Sequence, residues 1–394
     1  MTQTTTARRK DIVLPLIISI IGAFAIYIGL TAITPLVEGN TYINGMGDIM
    51  ENYSAGGILA QLEYLIFDIS NFTFLFTPLA TIFMFIFALL AAHLERKGSK
   101  YMGTGVDGNG HIFSAQLIFS IIFTFIGELL YGGIFSPLGF VPTLATYLFF
   151  QHFVMYYGVS TKKILTIGIT TTLLATPCCL LTRMMFIDTL ALPMFIAVAT
   201  GSLLFFPLGH IIFRLMPWMT QRDRSSEPKI NKPKTSKFVW FINQLLGDVG
   251  QLGVSGSSIS SIALIGFCIV SYCLNPLSTG FAAGLLPITL LAILVTGALT
   301  IFLFYPYYDK MPIVSFGSMV TVGAFVVTYP TSITIVILSI IYSVIVPVPV
   351  TAWVFKKADY KGQYCVFPLV MIAIIAAVVP FSLFINWVLV PLGF

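Results

Sequence analysis

The sequence predicts an all-α polytopic membrane protein, and its composition and its long apolar runs both support this. Of the residues, 57% are hydrophobic and only 9% are charged. Soluble domains carry roughly 25% charged residues, so this chain has too few to cover a surface that faces water. The runs 12–34, 72–94 and 366–390 are long enough to cross a bilayer core of about 30 Å, which takes roughly 20 helical residues. They do not alternate polar and apolar residues as the strands of an outer-membrane barrel do.

Segmentation of the apolar runs predicts about eleven transmembrane spans. If the N-terminus is cytoplasmic, almost every Lys and Arg falls on the cytoplasmic side, and only Arg183 is left over. The loop after the first span carries acidic residues and no Lys or Arg. We therefore expect a multi-pass protein of the plasma (bacterial inner) membrane, with a cytoplasmic N-terminus and an extracytoplasmic C-terminus. The spans, numbered in chain order, are 12–34, 70–94, 112–134, 140–157, 163–183, 189–214, 257–275, 281–304, 311–330, 332–355 and 364–390.

We divide the chain into five parts on this basis. Residues 1–100 hold spans 1 and 2 with the acidic loop, and 101–215 hold a first set of four spans. Residues 216–240 form a basic linker, 241–362 hold a second set of four spans, and 363–394 hold the last span. The Lys, Pro and Ser content of the linker is typical of a solvated connection, and attraction to anionic lipid headgroups is the alternative.

The two sets of four spans share landmarks at an offset of about 150 residues, which predicts an internal repeat of spans 3–6 as spans 7–10. Each unit has an even number of spans, so the repeat is parallel, with its pseudo-axis along the membrane normal. Transporters with such symmetry bind solute between the halves near the midplane. The paired landmarks are Gly105-Val106-Asp107-Gly108 with Gly253-Val254-Ser255-Gly256, Tyr156-Tyr157 with Tyr307-Tyr308, Gly168 with Gly317, and Thr176-Pro177 with Tyr329-Pro330.

The two glycine-flanked turns are candidates for a gate at the cytoplasmic mouth. Glycine allows a tight turn and leaves the amides of the following helix open, and such amides attract anions. The residues concerned are Asp107 and Gly108 in the first turn, and Ser255 and Gly256 in the second. The alternative is a pair of ordinary capped entry loops.

Ionisable groups inside the apolar spans are candidates for solute binding or coupling, because burying a charge in a bilayer costs roughly 2.5 kcal/mol or more. Glu128, Arg183 and Asp188 fall at similar depth on the outer side, where a charge-paired cluster would lower the cost for each. The alternative is that Arg183 reaches the interface and Glu128 is neutral. His152, near the inner end of span 4, is a further candidate, or it satisfies a local hydrogen bond.

Spans 5 and 9 combine hydroxyl side chains with a late proline, which predicts a transport site lined by these two spans. A proline removes a backbone hydrogen bond and frees a carbonyl. Interrupted spans at matching places in two halves are a good sequence pointer to a transport site. Threonine hydroxyls that bond back to their own helix are the alternative. The candidates are Thr171, Thr172, Thr176 and Pro177 in span 5, and Thr328, Tyr329 and Pro330 in span 9.

Together these features predict a permease that moves a small solute by alternating access, and not an enzyme. The chain has no P-loop and no H-E-x-x-H. A G-x-S-G protease motif at Ser255 would need a histidine base after the serine, and all four histidines precede it.

We expect a lipid bilayer and a small-molecule solute as partners, with a proton or sodium ion as candidate coupling ion, and no cofactor, metal or nucleic acid. The alternatives are the membrane subunit of an importer driven by a separate ATPase, and a membrane-embedded enzyme acting on lipids. The charge of the solute is left open, since Arg183 favours an anion and the acidic first loop favours cations.

Overall fold

The structure is a computed structural model, and it describes residues 9–70, 74–75, 77–106, 110–135, 144–223, 227, 235–251, 255–279, 283–309, 315–330, 332–359 and 366–393. All regular secondary structure in these ranges is helical, which confirms the all-α prediction. Eight of the helical segments are long and apolar enough to cross a membrane. The chain is therefore an all-α membrane protein, whereas the eleven spans and the repeat stay predictions.

Most helices follow one another with short connections, and the longest connections are 97–112 and 215–236. Two π-helical turns, Arg183–Ile187 and Ile385–Leu389, extend α7 and α15. The α-helices are α1 (Val13–Val37), α2 (Met46–Ala55), α3 (Ile58–Ser70), α4 (Pro78–Arg96), α5 (Phe113–Phe135), α6 (Leu144–Tyr157), α7 (Thr161–Thr182), α8 (Ile196–Arg214), α9 (Lys237–Gln251), α10 (Ser258–Leu274), α11 (Leu286–Leu303), α12 (Phe316–Thr328), α13 (Ile333–Ile345), α14 (Pro347–Lys357) and α15 (Phe367–Phe384).

Every predicted span overlaps an observed helix, but several boundaries differ for local reasons. Span 2 begins at Pro78 and not at residue 70, because the Thr77 hydroxyl accepts a hydrogen bond from the Ala80 amide (3.0 Å) and caps α4. Pro78 then occupies the first helical position, where it costs no hydrogen bond. Span 10 divides into α13 and α14, because Pro347 starts a new helix.

Three helices lie where the sequence predicted loop or linker. Helices α2 and α3 fill the acidic loop and pack together through Ile49, Tyr53, Tyr64 and Phe67, with the two tyrosine rings stacked 4.1 Å apart. Helix α9 starts at the end of the linker. Its buried residues include Phe241, Leu245 and Val249, four residues apart, which is the spacing of one buried helix face.

The apolar side chains form two main cores, and α12 contributes to both. The first core contains side chains of α5, α6, α7, α8 and α15, and the second contains side chains of α1, α9, α10 and α11. Phe316, Val320 and Ala324 of α12 face the first core, whereas Met319 and Val322 face the second. Ten residues of α12 are buried, so this short helix lies between the two cores along its length.

Helix α4 is tied to α10 at both ends. The Thr77 and Ser271 hydroxyls are 2.7 Å apart at one end, and the Thr104 amide donates to the Ser258 hydroxyl (3.1 Å) at the other. Between them, the Phe83 and Phe267 rings stack with centroids 3.6 Å apart. The antiparallel pair of α4 and α10 is therefore fixed along its whole length.

The packing of α7 on α8 leads to a first prediction. A Cβ added at Gly201 would lie 2.7 Å from the Cα of Cys179, which is backbone and cannot move aside. We expect Gly201→Ala to lower the free energy of unfolding by about 1–3 kcal/mol, as overpacking does. Unfolding in detergent, followed by circular dichroism, measures this.

Gly266→Ala in α10 is the matched control, since nothing lies within 4 Å of an added Cβ there. This variant should be as stable as the parent or more stable by about 0.5–1 kcal/mol, because alanine restricts the unfolded chain. Equal stability of the two variants would contradict the close approach of α7 and α8.

Candidate functional site

The two glycine-flanked turns predicted from the sequence approach each other next to α10. The Thr104 hydroxyl donates to the Gly256 carbonyl (2.8 Å) and accepts a hydrogen bond from the Ser258 amide (2.9 Å). A side chain at Gly103 has no room, because an added Cβ would lie 1.9 Å from the Ser258 hydroxyl. The turns are thus in direct contact. The same contact is also one end of the fixed α4–α10 pair, which favours a structural role over a moving gate.

The predicted gate residues themselves have local roles where they are described. The Ser255 hydroxyl donates to the Gly250 carbonyl (3.0 Å) and lies 2.7 Å from the Ser260 hydroxyl. Gly256 adopts a φ of +57°, a region that favours glycine. Asp107 and Gly108 lie outside the described residues.

A carboxylate lies buried beside each turn. Glu95, at the end of α4, accepts a hydrogen bond from the Val106 amide (3.1 Å). Asp248, in α9, accepts hydrogen bonds from the Tyr308 hydroxyl (2.8 Å) and from both the amide (3.3 Å) and the hydroxyl of Ser315. Burial raises the pKa of Asp248 to about 6, although these hydrogen bonds lower it.

On the opposite side of the bundle, Glu128 of α5 is fully buried and lies beside Tyr53 of α2. The Tyr53 hydroxyl and a Glu128 oxygen would lie 2.0 Å and 2.7 Å from a Cβ added at Gly132. Burial raises the pKa of Tyr53, and the hydrogen bond with Glu128 and the charges of Glu128 and Asp68 raise it further. The phenol therefore stays protonated beside the carboxyl group.

Asp68 of α3 completes this side of the structure. It is fully buried, and one of its oxygens accepts a hydrogen bond from the Leu144 amide (2.7 Å) at the start of α6. Helices α2 and α3, which the sequence predicted as loop, thus bring a phenol to α5 and a carboxylate to α6. Sequence reasoning missed Tyr53 as a partner because nothing local indicates that the acidic loop folds over α5.

Arg183 and Asp188 form an ion pair with each other, with the guanidinium Nε 3.3 Å from a carboxylate oxygen. Arg183 opens the π-helical turn after α7, and the Asp188 side chain is half exposed. Two of the three residues in the predicted charge cluster, Arg183 and Asp188, are thus paired with each other. Such partly exposed pairs contribute little to stability.

His152 makes the local hydrogen bond that the sequence analysis gave as its alternative. Its Nδ1 lies 2.6 Å from the Leu148 carbonyl of the same helix, and its ring packs against the Phe367 ring at a tilt of 37°, with centroids 3.9 Å apart. Position and packing place it in the first core, between α6 and α15.

Pro177 does not break its helix, contrary to the expectation for span 5, because α7 continues to Thr182. A proline at 177 cannot donate to the Leu173 carbonyl. The Tyr131 hydroxyl of α5 donates to that carbonyl instead (2.8 Å). The carbonyl freed by the proline is thus occupied by a protein group.

The threonines of α7 divide into partnered and unpartnered hydroxyls. Thr171 bonds back to the Ile167 carbonyl (2.8 Å), as the alternative interpretation predicted, and Thr172 donates to the Phe123 carbonyl of α5 (3.0 Å). Thr176 is fully buried, and its hydroxyl makes no hydrogen bond in the described part of the chain.

Tyr329 and Pro330 follow the end of α12. Contrary to the expectation for span 9, they do not interrupt the helix. Thr328 bonds back to the Ala324 carbonyl (2.6 Å). The Tyr329 hydroxyl donates to Asn386 (2.6 Å), in the π-helical turn after α15. The Asn386 amide donates in turn to the Ala191 carbonyl (3.0 Å), so this residue links α12 to the connection between α7 and α8.

The helices packed around α12 carry hydroxyls whose hydrogen-bonding capacity is unused. Helix α12 packs against α9, α11, α13, α14 and α15. On α12 and three of these neighbours, seven fully buried hydroxyls make no hydrogen bond within the described residues. They belong to Thr289, Thr296 and Thr300 of α11, Ser318 of α12, Ser339 and Ser343 of α13, and Ser382 of α15.

The spacing of these hydroxyls puts several on shared faces. The three threonines of α11 are seven and four residues apart, and the two serines of α13 are four apart, which in each helix is one face. By contrast, α7 packs against α5, α6 and α8 and lies away from α12. The two helices predicted to line one site therefore do not pack on each other, and the largest group of unused hydroxyls in the described residues lies around α12, with others such as Thr146, Thr176 and Ser257 elsewhere.

Comparison of the chain with models of protein families, with curated proteins and with solved structures found no match.

The Tyr131–Leu173 hydrogen bond leads to a second prediction. We expect Tyr131→Phe to lower the free energy of unfolding by about 1 kcal/mol, since it removes the donor to the carbonyl that Pro177 leaves free. In a Pro177→Ala background the residue 177 amide supplies that donor, and the same substitution should cost clearly less. The double-mutant cycle, measured by unfolding in detergent, isolates this coupling. An equal cost of Tyr131→Phe in both backgrounds would show that the hydroxyl acts elsewhere.

Proposed function

We propose that this chain is a multi-pass permease that moves a small solute by alternating access, with the solute path around α12. The observation that carries the proposal is the set of seven buried hydroxyls without hydrogen-bond partners on α12 and the helices packed against it. A polar group that is buried without a partner costs free energy, so a fold retains such groups where they serve another purpose. Binding a polar solute, or the water that accompanies it, is such a purpose.

The position of α12 between the two cores supports alternating access. A solute path between two rigid bodies opens to either side when one body rocks against the other. The first core (α5 to α8 and α15) and the second core (α1, α9, α10 and α11) are the natural bodies, and α12 contacts both. The glycine-flanked turns pack on α10 of the second body, close to Asp248, which contacts the start of α12.

Buried carboxylates supply a means of coupling to a proton or a sodium ion. All charged side chains that are buried in the described residues are acidic: Asp68, Glu95, Glu128 and Asp248. Acidic groups inside membrane bundles mark proton and cation pathways, because their cost is justified by function. Glu128 is the preferred coupling site, since it is fully buried in an apolar span.

The proposal includes the finer features predicted from the sequence: eleven spans, the parallel repeat of spans 3–6 and 7–10, and a plasma-membrane location with a cytoplasmic N-terminus. The packing supports the repeat in part. Helix α6 packs on α7 and α7 on α8, and likewise α11 packs on α12 and α12 on α13. The first helices of the two units differ, because α5 packs on α6, whereas α10 packs mainly on α4.

The hydroxyl-lined path is tested with an isosteric pair of substitutions. A thermal-shift screen against metabolites first identifies a solute that binds. Thr296→Val should then weaken its binding about three- to tenfold, the value of one hydrogen bond. It should leave the unfolding midpoint unchanged or higher, because the Thr296 hydroxyl has no protein partner to lose.

Thr321→Val is the matched control, since this equally buried hydroxyl already bonds to the Gly317 carbonyl (2.6 Å). It should lower stability by about 1 kcal/mol and leave solute binding unchanged. Normal binding in Thr296→Val, or a loss of stability without a loss of binding, would count against the path around α12.

Coupling is tested at Glu128 in proteoliposomes loaded for uptake of the same solute. Glu128→Gln keeps the size of the side chain but cannot exchange a proton. We expect it to abolish uptake driven by a pH gradient and to leave solute exchange largely intact. Glu51→Gln, an exposed carboxylate in the same helix as Tyr53, should behave as the parent. A Glu128→Gln variant with normal pH-driven uptake would make Glu128 a structural residue.

A further inference from the structure

The start of α12 is held by a side chain from another helix. Ser315 precedes the first residue of α12, but its hydroxyl does not cap α12. It donates instead to Asp248 of α9, which also accepts from the Ser315 amide (3.3 Å). A carboxylate at a helix N-terminus is stabilised by the open amides and by the helix dipole. Asp248 thus supplies the cap that α12 lacks.

This cap lies inside the bundle and not at its surface. Helix α12 has 13 residues, which gives it a length of about 20 Å, short of the bilayer core of about 30 Å. Asp248 is 2% exposed and Ser315 is fully buried. The N-terminus of the helix between the two cores is therefore anchored to the second core by one buried carboxylate.

Among the described residues, no basic group pairs with this carboxylate; Lys310, between Tyr308 and Ser315 in the sequence, lies outside them. The helices packed against α9 are α1, α10, α11 and α12, and none of them contains Asp, Glu, His, Lys or Arg. Within α9 the only basic residue is Lys237, at its far end, where its ammonium group donates to the Tyr305 hydroxyl (3.1 Å). The one titratable side chain hydrogen bonded to Asp248 in the described residues is Tyr308, which remains protonated as a donor.

We propose that Asp248 is a proton-binding site whose charge state controls how firmly the start of α12 is held. With Asp248 ionised, three donors from Tyr308 and Ser315 converge on one oxygen, and each bond is charge-assisted. Protonation of Asp248 turns these into neutral hydrogen bonds of about half the strength. It also makes the carboxyl group a donor, whereas the Tyr308 and Ser315 groups need an acceptor. The anchor then loosens, and α12 is freer to move relative to the second core.

The pH range follows from burial. Because burial raises the pKa of Asp248 to about 6, the group binds a proton within the physiological range, where an exposed aspartate stays ionised. The anchored state dominates above this value and the loosened state below it. If the chain is the permease proposed above, this site ties proton binding to movement of the helix along the solute path.

The experiment reads the motion of α12 directly and requires no knowledge of the solute. In a background without native cysteines, Ser318→Cys places a thiol in the first turn of α12. Its rate of labelling by a membrane-permeant maleimide is compared with that of Ser382→Cys in α15, where the parent hydroxyl is equally buried. Taking the ratio of the two rates at each pH cancels the titration of the thiol itself.

We expect the ratio to rise on the order of fivefold as the pH falls through about 6, with the loss of charge assistance. Asp248→Asn should give the high ratio at every pH, whereas Asp11→Asn, an exposed carboxylate, should keep the parent profile. Ser315→Ala removes one donor to the ionised form, so it should move the midpoint to higher pH.

A ratio that does not change between about pH 5 and 8 would overturn the proposal, as would a midpoint that survives Asp248→Asn. Should Asp248→Asn fail to fold, the shifted midpoint of Ser315→Ala decides the question, because a purely structural anchor would lose stability without moving a midpoint. None of these results depends on transport. The proposal for Asp248 and the proposed permease function are therefore tested independently of each other.

Discussion

Hydrocarbon offers no hydrogen-bond partner, so polar groups in the bundle depend on the protein for one. The structure meets this constraint by pairing groups across helices. Pro177 frees a carbonyl on α7, and the Tyr131 hydroxyl of α5 takes it. The start of α12 has no cap of its own, and Asp248 of α9 supplies one. These contacts between distant parts of the chain position the helices more specifically than apolar packing can, because lipid tails compete with apolar contacts but not with hydrogen bonds.

Against this background, the polar groups that remain without partners are informative about function. They are concentrated on α12 and its neighbours, whereas the hydroxyls of the first core are mostly used within their own helices or between neighbours. For example, the Thr171 and Thr182 hydroxyls donate to carbonyls of their own helix, and the Thr172 hydroxyl donates to a carbonyl of the neighbouring α5. A uniform scatter of unused hydroxyls would indicate only loose packing. Their concentration on a helix that contributes to both cores, and on the helices packed against it, is what points to a path for a polar solute.

The sequence predicted what depends on short stretches of chain and missed what depends on contacts between distant residues. Apolar runs of 20 residues are sufficient to locate helices such as α1 and α8. The Arg183–Asp188 pair was predictable because five residues separate its members. The Tyr53–Glu128 contact was not, since it depends on α2 folding over α5 from 75 positions away in the chain. Asp248 was missed for a related reason: it lies outside the predicted spans, and only the tertiary structure shows that it is buried.

Helix α12 is attached differently at its two ends, and this asymmetry matters for how it can move. At its start, a titratable carboxylate ties it to the second core. At its end, Tyr329 ties it through Asn386 to the end of α15, a helix of the first core, and to Ala191 in the connection between α7 and α8; these amide and phenol groups do not change charge near neutral pH. Loosening the start alone leaves α12 attached to the first core at its end. When Asp248 binds a proton, α12 would therefore lose its attachment to the second core and keep its attachment to the first. A rocking motion between the two cores requires such a change.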